Sequence, residues 1–226
     1  MLPGEWADGF AAWCDANPEV APVLARSRRG DPALPALGQD LDVRTDLPRY
    51  RIFERGVAVD ELDDVRALWN DELVAFAFGC SFTLEEALRR AGVSLAYEGR
   101  GFGGAIYTTS LETAEVGAFA GPLVVSMRPL AAGHAELAAE VSRRHPQLHG
   151  SPVHSGDPAA IGVDLAAPLD SIGEVDVAPG EVPVFWACGV TTQLVLERAR
   201  PPLAITHLSA HMLVSDLALE ELAATG

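Results

Sequence analysis

The chain has 226 residues, 49% of them hydrophobic and 21% charged, which is enough apolar surface for a substantial core and too much for disorder. Its formal net charge is −16 and its sixteen cations are all scattered arginines, so no phosphate-tracking basic face can be assembled and nucleic acid is not an expected partner. With no lysine anywhere in the sequence, Schiff-base chemistry, pyridoxal phosphate anchorage and the P-loop lysine are excluded.

Trp6, Phe10 and Trp13 recur at helical spacing, predicting a helix over Trp6–Ala16 that stops at Asn17-Pro18. A proline-rich irregular stretch is expected to about Pro48, followed by a short strand Tyr50–Phe53, a helix over Val59–Asn70 and a buried strand Val74–Gly79. Thr83-Leu84-Glu85-Glu86 has the form of a capping box opening a helix that ends near Gly92. Short strands Leu95–Tyr97 and Ala105–Thr108 are expected around a glycine-rich turn, then an apolar strand Leu123–Met127 and a helix from Gly133 to Arg144. The Gly-, Pro- and Asp-rich segment His145–Pro179 reads as long loops around one strand, Ile161–Leu165. Pro183–Ala187 is apolar without alternation, as a central strand should be, and Thr191 or Thr192 is placed to cap a helix reaching Ala199. Strands Leu203–Thr206 and His211–Val214 and a helix Leu217–Ala223 complete an α/β fold: a mixed sheet flanked by helices, in one compact unit of two interlocked parts, the smaller an α+β subdomain, whose boundary the sequence does not mark.

Apolar runs such as Val182–Cys188 are too short to cross a bilayer, the first residues lack a signal-peptide pattern, and three widely spaced cysteines suggest no disulfide framework. The expected setting is cytoplasmic and reducing, with no membrane partner; a homo-oligomer is compatible with these features.

Three segments place small, polar or nucleophilic residues where an apolar strand ends: Gly79-Cys80-Ser81-Phe82-Thr83, Ser126-Met127-Arg128-Pro129 and Cys188-Gly189-Val190-Thr191. Helix N-termini there offer unpaired N–H groups to an anion. Arg128 can clamp a carboxylate through two parallel hydrogen bonds, or pair with one of the 32 acidic side chains. Cys80, Ser81, Ser126, Thr191 and His207 are candidate substrate contacts. Cys188, ahead of a helix N-terminus, is either a nucleophile or a packed apolar residue. His149, His154 and Asp157 bring two imidazoles and a carboxylate into one turn-rich segment, suited to acid–base work or to scaffolding the loop. Their spacing matches no standard zinc site, and His207 and His211 lie in a strand-and-turn context, so neither a metal nor a cofactor is expected. Gly99-x-Gly101-x-x-Gly104 precedes a strand where a dinucleotide fingerprint needs a helix, and Gly79-x-Ser81-x-Thr83 lacks the last glycine of a nucleophile elbow.

Taken together, Arg44–Arg51, Phe78–Phe82, Val124–Pro129, His149–Pro158 and Val182–Thr191 resemble the hydro-lyases of the D-glutamate cyclase family, over about Phe10 to Asp216. The resemblance implies a two-part α/β fold and formation of 5-oxo-D-proline from D-glutamate with loss of water. The family pattern usually has a further segment before the first helix. It also has Tyr-Arg-Thr-Asn where this chain has Tyr107-Thr108-Thr109-Ser110, and Pro-Gly where it has Ser209-Ala210, so a substrate contact is expected to differ. The leading expectation is a hydro-lyase acting on a small amino-acid-like carboxylate held by Arg128, with a base from His149–Asp157. The rivals are a racemase or epimerase using Cys80 and Cys188, and a carboxylate-binding protein without catalysis.

Overall fold

The computed structural model describes residues 1–222. The chain begins with β1 (Leu2–Pro3) and α1 (Gly4–Ala16), where Phe10, Trp13 and Cys14 are buried along the predicted stripe. Asn17 ends α1: its Nδ2 donates to the Trp13 and Ala114 carbonyls at 2.9 and 3.0 Å, and its Oδ1 accepts from Ala114 N at 2.8 Å. The stretch expected to be irregular contains β2 (Val23–Arg26), a half-exposed strand with too little burial to show a periodic signal.

The expected strand at Tyr50 is β3 (Tyr50–Glu54), but the helix expected over Val59–Asn70 is instead β4 (Val57–Leu62), the other arm of a hairpin, followed by turns. The two linking residues, Arg55 and Gly56, have φ of 49° and 81°, the doubly left-handed form that two-residue hairpins favour. The buried strand expected over Val74–Gly79 divides into β5 (Leu73–Val74), paired with β1, and β6 (Phe76–Phe78), paired with β2.

Helix α2 (Ser81–Arg90) starts ahead of the expected capping box, and no side chain caps it. No strand forms at Leu95–Tyr97; the glycine-rich turn is a 3-10 turn over Glu98–Arg100 closed by left-handed Gly101. It leads directly into β7 (Gly104–Glu112), then β8 (Pro122–Ala131) and α3 (Ala135–Arg143). In the long loop region β9 (His154–Ser155) and β10 (Asp170–Ile172) form, whereas the strand expected at Ile161–Leu165 does not. Pro158–Ile161 is a 3-10 turn there, because Asp157 Oδ1 caps Ala159 N and left-handed Gly162 follows. The remaining elements are β11 (Glu181–Ala187), α4 (Val190–Ala199), β12 (Ala204–His207) and α5 (Leu219–Leu222). Residues His211–Val214 carry no strand, with Ala210 at φ 61° turning the chain just before them, and Ala223 of the expected last helix lies outside the described residues.

The fold is of the α/β class. Its main sheet has the order β10-β7-β8-β11-β9, a second has β12-β3-β4, and every pairing among the described strands is antiparallel. Side chains alternate across a strand, and registered partners share a face. Val184 opposite Arg128 and Trp186 opposite Ser126 therefore lie on one face of the sheet, while Phe185 opposite Met127, and His154 opposite Phe185, lie on the other. Helices α2 and α3 cover the first face: Arg128 reaches Glu85 and Ser81 of α2, and Trp186 Nε1 donates to Ser142 Oγ of α3 at 3.0 Å. No helix among the described residues is long and apolar enough to cross a membrane.

Candidate active site

The three segments singled out in the sequence meet at one cavity of about 270 Å³. Two are strand-to-helix junctions, at the N-termini of α2 and α4; Ser126-Met127-Arg128-Pro129 lies within β8 and presents alternate residues to the cavity side. Gly79 is required ahead of α2, because a Cβ there would fall 1.7 Å from the Gln147 carbonyl oxygen. That close approach holds the α2 N-terminus against the turn that carries His149.

Arg128 dominates the polar wall. It is 2% exposed; its Nε donates to Glu85 Oε1 at 2.6 Å and its Nη2 to Ser81 Oγ at 3.3 Å, while Ser81 Oγ and Ser126 Oγ lie 3.1 Å apart. The rings of Phe82 and Trp186 lie 5.4 and 5.7 Å from its guanidinium carbon, a cation–π setting. Burial works against its charge, and the Glu85 carboxylate together with the neighbouring Tyr97 and Cys80 offsets this, holding Arg128 above its ordinary value. Glu85 gave no sequence signal for this role. Its partner lies 43 residues away along the chain.

Cys80 and Cys188 both line the cavity as uncharged thiols. Burial raises both, Cys188 to about 11, against the pull of the helix N-terminal amides of Phe82 and Val190 and of Arg128. The N-terminal location therefore does not make Cys188 a thiolate, since desolvation outweighs the helix end.

His149 also lines the cavity, fully buried and in the left-handed region at φ 77°, a conformation costly for a non-glycine residue. Its Nδ1 lies 2.9 Å from the Glu19 carbonyl. Burial lowers its pKa to about 4 although the Glu19 and Gly79 carbonyls favour the charged form, so the ring is neutral at physiological pH and a weak base. His154 and Asp157 are not brought to it. His154 stacks on Phe185 on the face opposite Arg128, its Nε2 lies 2.7 Å from the Asp157 carbonyl, and the Asp157 carboxylate caps a turn.

Thr191 does not line the cavity. Its Oγ1 accepts from Val124 N at 3.0 Å and donates to Cys188 O at 2.7 Å, so it extends the β8–β11 ladder one step beyond the end of β11. Thr192 and Gln193 face the cavity in its place. His207 is on the wall with Nδ1 2.7 Å from the Leu208 carbonyl, and burial lowers its pKa. Of the departures from the family pattern, Ser209 and Ala210 line the cavity, whereas Thr108 and Ser110 are exposed on β7 away from it. Among the described residues no group of His, Cys, Asp and Glu is arranged to hold a metal ion.

Comparison with known proteins agrees with the resemblance read from the sequence. The family model described as D-glutamate cyclase matches residues 74–216, which include every cavity residue named above. The chain is 51% identical over 225 residues to a Bordetella pertussis protein, covering 99% of this chain and 81% of that one. It is 49% identical over 218 residues to one from Verminephrobacter eiseniae (96% and 79%) and 50% identical over 219 residues to one from Jannaschia (96% and 82%). Each of these relatives bears the name "Putative hydro-lyase". The chain belongs to the D-glutamate cyclase family.

Proposed function

We propose that this protein is a hydro-lyase whose cavity takes a small amino-acid-like carboxylate, with D-glutamate to 5-oxo-D-proline and water as the reaction that fits best. The carrying observation is Arg128, buried in the wall of the cavity that the N-termini of α2 and α4 also line, neither of which has a side-chain cap or an acid in its first turn. A buried guanidinium near the positive dipole ends of two helices is complementary to a carboxylate.

In the cyclisation the substrate supplies its own nucleophile. The uncharged α-amine attacks the side-chain carboxyl carbon, a C–N bond forms, the C–OH bond breaks, and a proton lost from nitrogen leaves with the hydroxyl as water. The protein's contribution is to orient and to desolvate. Arg128 holds a carboxylate, the helix N-termini stabilise oxyanion charge, and the neutral His149, His207 and thiols supply hydrogen bonds without a competing charge. Three free cysteines support a reducing, cytoplasmic setting.

That Cys80 and Cys188 both line the cavity favours a second reading, a two-thiol racemase, although such an enzyme needs one of them as thiolate and both are pushed the other way. Incubation with each glutamate enantiomer and with 5-oxoproline in deuterated water separates the readings. Interconversion of D-glutamate and 5-oxo-D-proline without deuterium at the α carbon supports the cyclase; deuterium there with inversion supports the racemase. Stereoselective binding without turnover supports a non-catalytic binding protein.

A further inference from the structure

Glu85 does not line the cavity, yet it makes the shortest polar contact of the residue that dominates the cavity wall. Its side chain is 9% exposed; Oε1 accepts from Arg128 Nε at 2.6 Å and from the Tyr97 hydroxyl at 3.4 Å, and Oε2 accepts from Arg89 Nη2 at 3.4 Å. The pair is single-stranded: only Nε of Arg128 is spent on the carboxylate, Nη2 meets a serine hydroxyl, and Nη1 has no hydrogen-bond partner among the described residues. A counter-ion serving stability alone would gain from a two-point fork. Contact through Nε instead leaves the Nη groups available to a ligand in front.

We propose that Glu85 is a positioning residue that fixes the direction of the Arg128 fork and, by cancelling its charge, limits how tightly the cavity holds a carboxylate. The proposal rests on the reading of Arg128 as the carboxylate clamp. An uncompensated guanidinium at 2% exposure would bind any anion strongly and release the product slowly. Paired with Glu85 it attracts a carboxylate through geometry and the helix ends, which favours turnover over retention. Tyr97 and Arg89 in turn hold both oxygens of Glu85, so the orientation is set from behind the wall.

Calorimetric titration of the full chain with D-glutamate and with glutarate tests this, using wild type, Glu85→Gln and the neutral pair Glu85→Gln/Arg128→Met. Gln keeps an oxygen for Arg128 Nε and removes the charge. The expected result is a lower Tm without ligand, a carboxylate Kd about tenfold tighter than wild type, as loss of a nearby like charge requires, and a lower kcat with a lower KM. A merely structural Glu85 predicts unchanged or weaker binding, and that result overturns the proposal. If the neutral pair binds as well as wild type, or wild type binds neither ligand, the clamp reading itself fails. Should Glu85→Gln not fold, Glu85→Asp serves: it keeps the charge and withdraws the carboxylate by about one bond length, ~1.5 Å. It is expected to lower kcat/KM about tenfold without tightening Kd; an unchanged kcat/KM overturns the proposal.

Discussion

Thr191→Val removes one hydroxyl at almost constant volume, at a position with no exposed surface. Beyond Ala187 the Cys188 amide still donates to the Val124 carbonyl at 3.0 Å, but the Val124 amide, whose ladder partner would be the Cys188 carbonyl, donates to Thr191 Oγ1 at 3.0 Å instead. The same hydroxyl donates to Cys188 O at 2.7 Å. In the valine variant the Val124 N–H is buried without a partner, at a cost of about 1–3 kcal/mol, and the Cys188 carbonyl keeps only part of its bonding. We expect a loss of about 2 kcal/mol, which for a chain of this size lowers Tm by roughly 4–8 °C. Because the hydroxyl ties the α4 N-terminus to β8, and that terminus lines the cavity, kcat/KM should fall with it. Urea denaturation followed by tryptophan fluorescence and circular dichroism gives the free energy, with coincident transitions checking two-state behaviour. Thr191→Ser restores both bonds and should recover most of the loss. A valine variant within about 0.5 kcal/mol of wild type would refute the role of Thr191 as a ladder extension.

Two further predictions concern titration and thiol reactivity. His149 has its folded pKa lowered from 6.5 to about 4, so the unfolded chain takes up its proton first as pH falls; stability present above pH 6.5 is lost progressively down to about pH 4, by about 3 kcal/mol. His149→Asn, whose side chain tolerates the left-handed backbone, should flatten the stability curve in that window relative to wild type; an unchanged difference between pH 7 and pH 4.5 contradicts the buried neutral imidazole. Cys188, raised to about 11, should react with iodoacetamide at pH 8 about a hundredfold more slowly in the native protein than after unfolding, and mass spectrometry of the modified peptide checks this. Rapid native alkylation there would restore the thiolate that the racemase reading needs.

What could be read from the sequence follows from how local each signal is. The central strand β11 was visible because burial on both faces leaves an unbroken apolar run, and α1 because its aromatic residues repeat at helical spacing. The second arm of the hairpin, β4, reads as a helix in sequence because it is exposed and carries Asp60 and Glu61, which look like a solvated helix face; Arg55-Gly56 is the available turn signal. Arg128, Cys80, Ser81, Ser126, Cys188, His149 and His207 line one cavity, and short polar segments interrupting apolar ones are their trace in the sequence. Glu85 stayed hidden because a buried acid on an amphipathic helix looks like a solvated one until its partner on a distant strand is known. His154 and Asp157 attracted attention by clustering in sequence, but the strand register turns His154 to the opposite face from Arg128.

Whether this cavity binds a small carboxylate through Arg128 can be decided by titrating D-glutamate into wild type and Arg128→Lys under the same conditions. Lysine keeps a positive charge but cannot reproduce the planar fork. Wild type should bind stereoselectively and the lysine variant at least about tenfold more weakly, the loss of a two-point charged contact. Equal affinity for the two proteins would contradict binding through Arg128.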